Sequence, residues 1–419
     1  MKVLIYSANY APEPTGIGKY SGEMAEWLAA RGHEVRVVAA PPYYPNWKVA
    51  EGYTWPPYRR ESLHGVDVWR APLWVPSQPS GLKRVLHLLS FALTSAPVML
   101  RQTFWAPDVV LTVAPAMACA PVGWLTARLC GASAWLHVQD FEVDVAFQMN
   151  LLKGKWAQRA ALWCERTLMR RFDKVSSIST KMVDRLRDKG IAADVVELFP
   201  NWVDTDGVVP LEGVSSYRAE LGIAEDQVVA LFSGTWGAKQ NLLSIPAVAR
   251  QLAHRQDVMF VICGDGVMRP ELERACQGLP NVRLLPLQPK ERLGDLLGMA
   301  DIHLLTQSAD AEDLVLPSKL TGMLSSGRPV VATCRPDTEI ATVVSRCGLV
   351  ACPSSLEQLA HAVVRLADQP ALRESLGAQG RQYAEHSLAK DPILARWVLR
   401  ADRATVGVAS VATPEHEVN

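Results

Sequence analysis

The sequence lacks two features that would define its class at once: an imbalance of charge and a metal-binding spacing of cysteines. It carries 43 lysine and arginine residues against 43 aspartate and glutamate residues. Because a general nucleic-acid binder needs a net basic footprint, this balance argues against that class. The eight cysteines are scattered without a C-x-x-C pair, which gives no indication of a zinc site and favours reduced thiols in a cytosolic protein.

Long apolar runs and a secretory leader are also missing. The chain passes from Met1 directly into a short apolar segment at residues 3–6, which is too short for a signal peptide. The longest apolar run, residues 85–100, contains His87 and Pro97 and falls short of the roughly 20 residues that a membrane span needs. We therefore expect a buried or interfacial pair of helices in this region and no membrane span.

Several catalytic signatures are absent as well. The sequence contains no G-x-S-x-G, no Walker sequence and no H-E-x-x-H, so the hydrolase, ATPase and zincin classes lose support. A D-x-D metal pair is also missing, and the nearest pattern is Glu142-x-Asp144. Short acidic pairs are usually solvated surface. We predict no metal site and no cofactor.

Strands and helices alternate through both halves of the chain. Residues 2–8 are read as a strand, residues 22–31 as a helix capped by Ser21, and residues 34–40 as the next strand. This unit is typical of the opening of a Rossmann-like sheet. Gly16-x-Gly18 stands alone between the first strand and the helix, so a dinucleotide fingerprint is not met.

A second series of strands begins at residues 228–233, after a polar stretch. The sustained alternation predicts an α/β fold of two Rossmann-like, doubly wound domains that face a central cleft. We place the first domain at residues 1–204 and the second at residues 205–385. A helix at residues 386–404 is expected to return to the first domain, and residues 405–419 are expected to be disordered.

One stretch in the second half predicts an anion-binding helix end. Ser318 is expected to cap a helix over residues 319–326, which Gly327 ends before a buried strand at residues 329–333. Such a helix end attracts anions through its free N–H groups and the helix dipole. Lys319 adds a positive charge in the first turn. The alternative interpretation is an ordinary helix–strand unit of the domain.

Two other loops follow predicted strands in the same way. They cover residues 14–19 in the first half and residues 233–240, with Lys239, in the second. Two lysines and at least two helix N-termini in one domain suit a diphosphate, because N–H groups hold the oxygens while lysines supply point charge. Each lysine taken alone can equally be a solvent-exposed surface residue.

Polar residues collect where a predicted strand of the first half ends. His137 lies at the end of the strand at residues 134–138, and Asp140 follows it. Open α/β sheets bind ligands at this edge. The carboxylates expected near the cleft are Glu13, Asp140, Glu142, Asp144, Asp310, Glu312 and Asp313.

Aromatic residues concentrate in the first half. A proline-rich loop at residues 41–57 contains Tyr43 and Tyr44, and loops of this length in compact domains are usually functional. A helix at residues 156–172 combines tryptophans with arginines, and it is either a surface helix with solvated arginines or a membrane-surface helix. Ten of the thirteen tryptophans precede residue 190. Their rings suit membrane interfaces and sugar faces, although core packing is the alternative.

Several longer segments resemble the GT-B glycosyltransferases of family 4, and most closely their colanic-acid biosynthesis fucosyltransferase branch. The matching segments occur in the expected order over roughly residues 1–385. They are N-Y-A-P-E-P-T-G-I-G-K-Y (9–20), E-M-A-E-W-L-A-A-R-G-H-E-V-R-V (23–37), A-P-P-Y-Y-P-N-W (40–47), L-H-V-Q-D-F-E-V-D (136–144), F-P-N-W (199–202), F-S-G-T-W-G-A-K-Q (232–240) and L-P-S-K-L-T (316–321).

The resemblance implies an enzyme that transfers a sugar from a nucleotide-sugar with retention at the anomeric carbon. GDP-fucose is the favoured donor, and the expected acceptor is a saccharide on polyprenyl diphosphate at the inner face of the cytoplasmic membrane. The enzyme would be cytoplasmic, peripheral at that membrane and independent of metal. Alternatives are a GDP-mannose or UDP-sugar donor, a GT-B-like epimerase or phosphorylase, and a non-catalytic nucleotide-sugar-binding partner of a polysaccharide synthase.

Site residues follow from the resemblance together with the loops above. The residues expected to be catalytic are Asp140, beside the reacting sugar, with Lys239 and Lys319. The residues expected to bind the donor are Gly16, Gly18, Ser233, Gly234, Lys239, Gly264, Gln288, Ser318 and Lys319, with Gln288 near the base. The residues expected to bind the acceptor are Glu13, Lys19, Tyr43, Tyr44, His137 and Glu142.

The chain departs from the broader family at one motif. That family usually carries Glu-x7-Glu before the G-x-P-V-V segment, and the corresponding positions here are Leu314 and Gly322. The ribose contact of the second glutamate must therefore come from elsewhere. Because no carboxylate is well placed as a nucleophile, we favour front-face transfer, in which the leaving diphosphate oxygen accepts the acceptor hydroxyl's proton.

Overall fold

The computed structural model describes residues 1–13, 16–44, 46–77, 81–114, 117–141, 155–308 and 316–411. These residues form two compact units. The first contains Met1–Pro200 and the chain from Leu394 onward, and the second contains Asn201–Ile393. Each unit has its own parallel sheet with helices, which confirms the predicted α/β fold with two Rossmann-like domains.

The described part of the first unit contains a sheet of eight strands. The strands are β1 (Lys2–Ser7), β2 (Glu34–Ala39), β3 (Arg59–Leu63), β4 (Val66–Arg70), β5 (Val109–Ala114), β6 (Ser133–Val138), β7 (Lys174–Ser177) and β8 (Val196–Leu198). Their order is β3-β4-β2-β1-β5-β6-β7-β8, and all pairs are parallel except β3 with β4. Central strands such as β5 are buried along their whole length, as expected for apolar runs covered by helices on both faces.

Five helices precede residue 200 in the described part of this unit: α1 (Gly16–Ala30), α2 (Gly81–Arg101), α3 (Ala120–Cys130), α4 (Lys155–Met169) and α5 (Thr180–Asp188). Two predictions were wrong. Ser21 does not cap α1, which has already begun at Gly16, and its hydroxyl lies instead near that of Ser7. The helix pair expected over residues 85–100 is one helix that continues through Pro97. Within the described ranges, no helix is long and apolar enough to cross a membrane.

The second unit contains a sheet whose strands are all parallel in its described part. The strands are β9 (Val228–Thr235), β10 (Val258–Asp265), β11 (Val282–Leu285), β12 (Ile302–Leu305), β13 (Val330–Thr333) and β14 (Gly348–Ala351), in the order β11-β10-β9-β12-β13-β14. Because parallel strands all end at one edge, the loops after β9, β10 and β12 leave the sheet side by side.

The helices of the second unit are α6 (Ser216–Glu220), α7 (Ser244–Gln251), α8 (Arg269–Cys276), α9 (Leu293–Gly298), α10 (Ser318–Ser325), α11 (Glu339–Cys347), α12 (Leu356–Asp368) and α13 (Pro370–Tyr383). The predicted apolar face of α10, its end at Gly327 and the buried strand that follows are confirmed. Leu320, Met323 and Leu324 are fully buried, Gly327 has a φ of +69°, and β13 is buried throughout.

The last helix, α14 (Lys390–Val411), is longer than expected. Its residues 405–411 are helical, so the prediction of disorder from residue 405 was wrong over that part. After Pro392 in its first turn, the sequence contains no proline before Pro414, and the one glycine in that stretch, Gly407, costs a helix only about 1 kcal/mol. In the first unit, Trp397 of α14 packs against Trp135 and Phe199, with ring centres 5.4 and 6.3 Å away.

Candidate functional site

Glycines allow the ends of β9 and β10, and the loops that follow them, to approach each other closely. A Cβ atom at Gly264 would overlap the carbonyl oxygen of Gly234, and one at Gly266 would overlap that of Trp236. Gly264 and Gly266 also have positive φ values of +149° and +155°. The Trp236 amide donates to the Asp265 carbonyl at 2.8 Å, which ties the two loops together. The predicted donor residues Gly234 and Gly264 are therefore brought into direct contact.

Lys319 extends from α10 to the end of β9. Its Cδ lies 3.5 Å from the position that a Cβ atom of Gly234 would take, and its Nζ lies 4.5 Å from the ring centre of Phe232. The side chain is half-buried, and burial lowers the pKa of its ammonium group to about 8. No carboxylate among the described residues lies within ion-pair distance of it. The structure thus places a desolvated lysine beside the glycine loop.

The N-terminus of α10 is open. Pro317 is the N-cap residue, with φ −60° and ψ 134°, and no side chain caps the helix. The predicted Ser318 cap was wrong, because Ser318 is already the first helical residue and its carbonyl accepts a hydrogen bond from the Thr321 hydroxyl at 2.8 Å. The first N–H groups of a helix have no partner within the helix. With Lys319 in the same turn, this end suits an anion.

Lys239 lies in a 3₁₀ turn, Ala238–Gln240, at the same edge of the sheet. The turn is held from the end of β12: Ser308 N–H donates to the Lys239 carbonyl at 2.8 Å, and the Thr306 hydroxyl donates to the Gln240 carbonyl at 2.6 Å. The Lys239 side chain is exposed. Because β12 is paired with β9, both predicted lysines belong to neighbouring loops of one sheet edge.

Gln288 is held by a tyrosine that the sequence did not single out. The Tyr217 hydroxyl donates to Gln288 Oε1 at 2.9 Å, and Gln288 Nε2 donates to the Pro286 carbonyl at 2.7 Å. The Arg292 guanidinium covers the Tyr217 ring, 3.9 Å from its centre, and pairs with Glu220 at 2.5 Å. No sequence signal pairs Tyr217 with Gln288, because the two are 71 positions apart.

Glu13 is a buried carboxylate in the first unit. Its Oε1 accepts hydrogen bonds from the N–H groups of Tyr43 and Tyr44, both at 3.0 Å, and its Oε2 accepts one from Asn9 at 2.9 Å. Burial raises its pKa, and the three hydrogen bonds oppose that rise. A Cβ atom at Gly18 would collide with the Glu13 side chain. Glu13 therefore anchors the tyrosine loop against the start of α1, and its contact with an acceptor stays a prediction.

The two tyrosines of that loop differ in exposure. Tyr43 is buried and packs edge-on against His87, 4.7 Å between ring centres, and Trp47, 5.9 Å. Tyr44 is 42% exposed, so of the two tyrosines Tyr44 is the one whose side chain a ligand in solution can reach. Lys19 lies on α1, and its Nζ is 4.8 Å from the ring centre of Tyr20. The acceptor roles of Lys19, Tyr43 and Tyr44 stay predictions.

Two further predicted residues of the first unit, His137 and Asp140, lie at the end of β6. His137 is 4% exposed, its Nδ1 lies 2.9 Å from the Ser176 hydroxyl, and burial lowers its pKa to about 3. A buried neutral imidazole favours packing over the predicted acceptor contact. Asp140 is exposed just past the strand. Glu142 and the other expected acids Asp144, Asp310, Glu312 and Asp313 lie outside the described residues, as does Leu314.

In the chain as described, no group of three or more histidine, cysteine or acidic side chains could hold a metal ion. The predicted donor residues that the structure brings to one edge of the sheet include two lysines and the N-terminus of α10. They are Ser233, Gly234, Gly264, Ser318 and Lys319 around the end of β9, with Lys239 on the adjacent loop. Such a set suits a phosphate or diphosphate.

Comparison with known proteins identifies the family. A family model for a glycosyl transferase 4-like domain matches residues 15–202, and one for glycosyl transferases group 1 matches residues 227–369. The chain is 41% identical over 409 residues to the putative colanic acid biosynthesis glycosyl transferase WcaI of Escherichia coli K12, covering 95% of this chain and 99% of that one. The chain belongs to the GT-B glycosyltransferases of family 4. It is therefore a glycosyltransferase.

Solved structures agree in fold. Sucrose-phosphate synthase of Thermosynechococcus elongatus superposes with a TM-score of 0.74 at 16% identity, over 97% of this chain and 99% of that one. Anabaena HepE, solved in complex with UDP, gives a TM-score of 0.70 at 16% identity, over 96% and 100%. Both comparisons support the GT-B fold alone, because the identities are low.

Proposed function

We propose that this glycosyltransferase moves a sugar, with retention, from a nucleotide-sugar to a lipid-linked oligosaccharide in exopolysaccharide biosynthesis. The observation that carries the proposal is the half-buried Lys319 beside Gly234, at the open end of α10. A lysine without a carboxylate among the described residues and a helix with unused N–H groups together suit the diphosphate of such a donor. The name of the relative WcaI supports the assignment to colanic acid or a similar polymer.

The proposed chemistry needs charge stabilisation more than a nucleophile. Lys319, Lys239 and the N-terminus of α10 would hold the diphosphate while its oxygen leaves the sugar and accepts the proton of the attacking hydroxyl. Asp140 would lie beside the reacting sugar. Groups that are fixed before the reaction stabilise the developing charge without reorganisation, so their contribution is large. We propose that no metal is needed, because two lysines and the helix end supply the positive charge.

GDP-fucose is the donor we favour, and GDP-mannose and UDP-sugars are the competitors. Anabaena HepE is bound to UDP in its solved structure, so UDP-sugars stay among the candidate donors. On the base side, Gln288 is held by Tyr217 and Pro286, so both its amide groups are already oriented. We propose that this amide, or the backbone around it, reads the base.

The acceptor we propose is a saccharide on polyprenyl diphosphate, and the enzyme would work in the cytoplasm at the inner face of the membrane. The first unit would bind the acceptor through Tyr44 and Lys19, close to the proposed donor residues Gly16 and Gly18 at the start of α1. In support, Tyr44 is exposed and its backbone is fixed by Glu13. A non-catalytic nucleotide-sugar-binding role is the second candidate, because neither Leu314 nor Gly322 is acidic.

Two measurements test the proposal. A thermal-shift screen of nucleoside diphosphates should show stabilisation by one base above the others, since a ligand that binds only the folded state raises the melting temperature. Labelled GDP-fucose, GDP-mannose and UDP-sugars are then offered with a polyprenyl-diphosphate saccharide, with and without EDTA. Transfer that EDTA leaves intact supports the proposal. Nucleotide binding without any turnover would support the non-catalytic role, and stabilisation by no nucleotide would overturn both.

A further inference from the structure

One helix of the first unit carries an apolar stripe on its exposed face. The residues of this α2 stripe follow one another at intervals of three or four along α2 and the 3₁₀ turn after it, and all are exposed: Leu86, Leu89, Leu93, Pro97, Leu100 and Phe104. Leu93 is 74% exposed and Phe104 is 92% exposed. This spacing places them along one side of the helix.

The α2 stripe is separate from the face that packs into the core. Phe91, Ser95 and Met99 are fully buried, and the Ser95 hydroxyl lies 2.5 Å from the hydroxyl of Tyr6 in β1. The helix is therefore already seated on its sheet. Single exposed leucines are ordinary on protein surfaces, but a continuous row of them marks an interaction site.

The charged residues in the part of the sequence that carries the α2 stripe are of one sign. No acidic residue stands between Asp67 and Asp108 in the sequence. The same stretch contains Lys83 and Arg84 at the start of α2 and Arg101 at its end, all exposed. An apolar face flanked by cations is typical of a helix that lies in the interface of an anionic membrane.

A basic cavity adjoins the end of the α2 stripe. It has a volume of about 360 Å³, and its walls include Arg59, Arg60, Arg101, the ring of Trp69 and Pro97 of the stripe. The Arg60 and Arg101 guanidinium groups lie 4.9 and 5.4 Å from the ring centre of Trp69. Guanidinium groups over an aromatic floor suit a phosphate attached to an apolar body.

Two carboxylates offset only part of the charge near the cavity. Glu61 pairs with Arg59 and Arg70, and Asp67 pairs with Arg60. Asp67 also pairs with Arg36, and no carboxylate in the described ranges pairs with Arg101. The guanidinium groups therefore outnumber the acids.

We propose that the α2 stripe docks on an anionic lipid bilayer, with headgroup phosphates against the arginines of the adjoining cavity. The helix would lie on the membrane surface. Two partly exposed aromatic residues are tied to the sides of α2: the Tyr58 hydroxyl donates to the Thr94 carbonyl at 3.1 Å, and the backbone N–H of Trp74 donates to the Ser90 hydroxyl at 2.8 Å. Such rings settle at the level of lipid headgroups. This inference rests on the proposed lipid-linked acceptor and names the surface that brings the enzyme to it.

The test measures binding of the full-length protein to sedimented vesicles. Vesicles of phosphatidylcholine alone are compared with vesicles in which about a third of the lipid is phosphatidylglycerol. Leu93→Glu should weaken binding about tenfold or more, because it replaces a leucine inserted among lipid tails by a charge. Leu399→Glu is the matched control: Leu399 is 61% exposed on α14, outside the stripe, and its variant should bind like the wild type.

A second variant tests the charge component. Arg101→Gln should reduce the preference for phosphatidylglycerol vesicles and leave the weak binding to phosphatidylcholine unchanged. Nucleotide-induced thermal shifts are measured on every variant. Shifts equal to the wild type show that a loss of vesicle binding comes from the surface and that the fold and the donor site are intact.

Three outcomes would overturn the inference. The first is wild-type protein that ignores anionic vesicles, and the second is Leu93→Glu protein that binds them like the wild type. The third is a concentration-dependent dimer that Leu93→Glu dissociates, because the stripe would then be covered by a second copy of the chain. A wild-type protein whose melting temperature no nucleotide raises would instead contradict the proposed function. Failure of the membrane proposal and failure of the proposed function are therefore distinguishable.

Discussion

Glu13 and Lys319 are both poorly solvated charged groups, and each lies beside a glycine near the end of the first strand of its sheet. They differ in whether the described residues of the protein supply hydrogen-bonding or charged partners. Glu13 accepts three hydrogen bonds from Tyr43, Tyr44 and Asn9. Lys319 faces Gly234 and the ring of Phe232, and the described residues offer it no carboxylate. Charges that the protein itself satisfies hold structure together, whereas a desolvated charge without a partner costs stability.

The comparison assigns the two charges to different tasks. Glu13 fixes the backbone of the loop that carries Tyr44, so it acts on a ligand only through that loop. Lys319 has no carboxylate partner among the described residues, and a bound diphosphate would supply the missing negative charge. Perturbed lysines of this kind concentrate at functional sites, where stability is exchanged for binding.

The largest expected effect is on turnover in Lys319→Met. Removing the ammonium while keeping most of the stem should lower kcat/KM for the donor about 1,000-fold, ~4 kcal/mol of transition-state stabilisation. The melting temperature should stay the same or rise, because the desolvated charge is gone. Steady-state kinetics and calorimetry measure the two quantities. Arg365→Met, which removes an exposed cation from α12 of the same unit, is the control and should change neither.

Glu13→Ala should show the reverse pattern. Its removal leaves three buried or half-buried donors without an acceptor, so the free energy of unfolding should fall by about 3 kcal/mol. Denaturant titration checks this, with Glu51→Ala, an exposed glutamate on a nearby loop, as the control. Donor binding by the folded fraction should be unchanged. A Glu13→Ala protein as stable as the wild type would show that the three hydrogen bonds do not anchor the loop.

Lys239→Ala should have a smaller effect than Lys319→Met. The Lys239 side chain is exposed, so water screens its interaction with a diphosphate. We expect kcat/KM for the donor to fall about tenfold, with an unchanged melting temperature. Assays with each competent donor provide the measurement. Full turnover of every donor by Lys239→Ala would remove this lysine from the proposed site.

The smallest effect is a pH dependence that belongs to Lys319. Its pKa is lowered to about 8, so the free enzyme loses the positive charge as the pH rises through that value. Donor kcat/KM, which reports the free enzyme, should therefore decline above about pH 8. Lys319→Arg should be less active but flat over the same range, because arginine stays protonated. An equal decline in both proteins would assign the titration to another group.

Local signals in the sequence predicted much of the second unit's site. Leu320, Met323 and Leu324 repeat at helical spacing, and Gly327 must take a positive φ, so α10 and its end followed directly from residue types. The error at Ser318 has a physical reason. Pro317 already has an extended conformation that can serve as an N-cap, which moves Ser318 one position into the helix.

Contacts between distant residues could not be predicted from such signals. The Tyr217–Gln288 hydrogen bond joins positions 71 apart, and Glu13 reaches the Tyr43 amide across 30 positions. Both depend on the tertiary packing of segments that are distant in the sequence. The α2 stripe was read only as part of a long apolar run, because a buried helix and an exposed one have the same composition. Exposure is a property of the fold.

The most direct test of the central contrast is the pKa of Lys319 itself. NMR of protein labelled at the lysine ε-carbon, with the Lys319→Arg spectrum for assignment, follows this one ammonium group during a pH titration. The pKa should lie near 8 in the free protein and rise when a nucleoside diphosphate of the preferred base binds, because the anion favours the charged form. A pKa near the ordinary lysine value that the nucleotide leaves unchanged would contradict the assignment of Lys319 to the diphosphate.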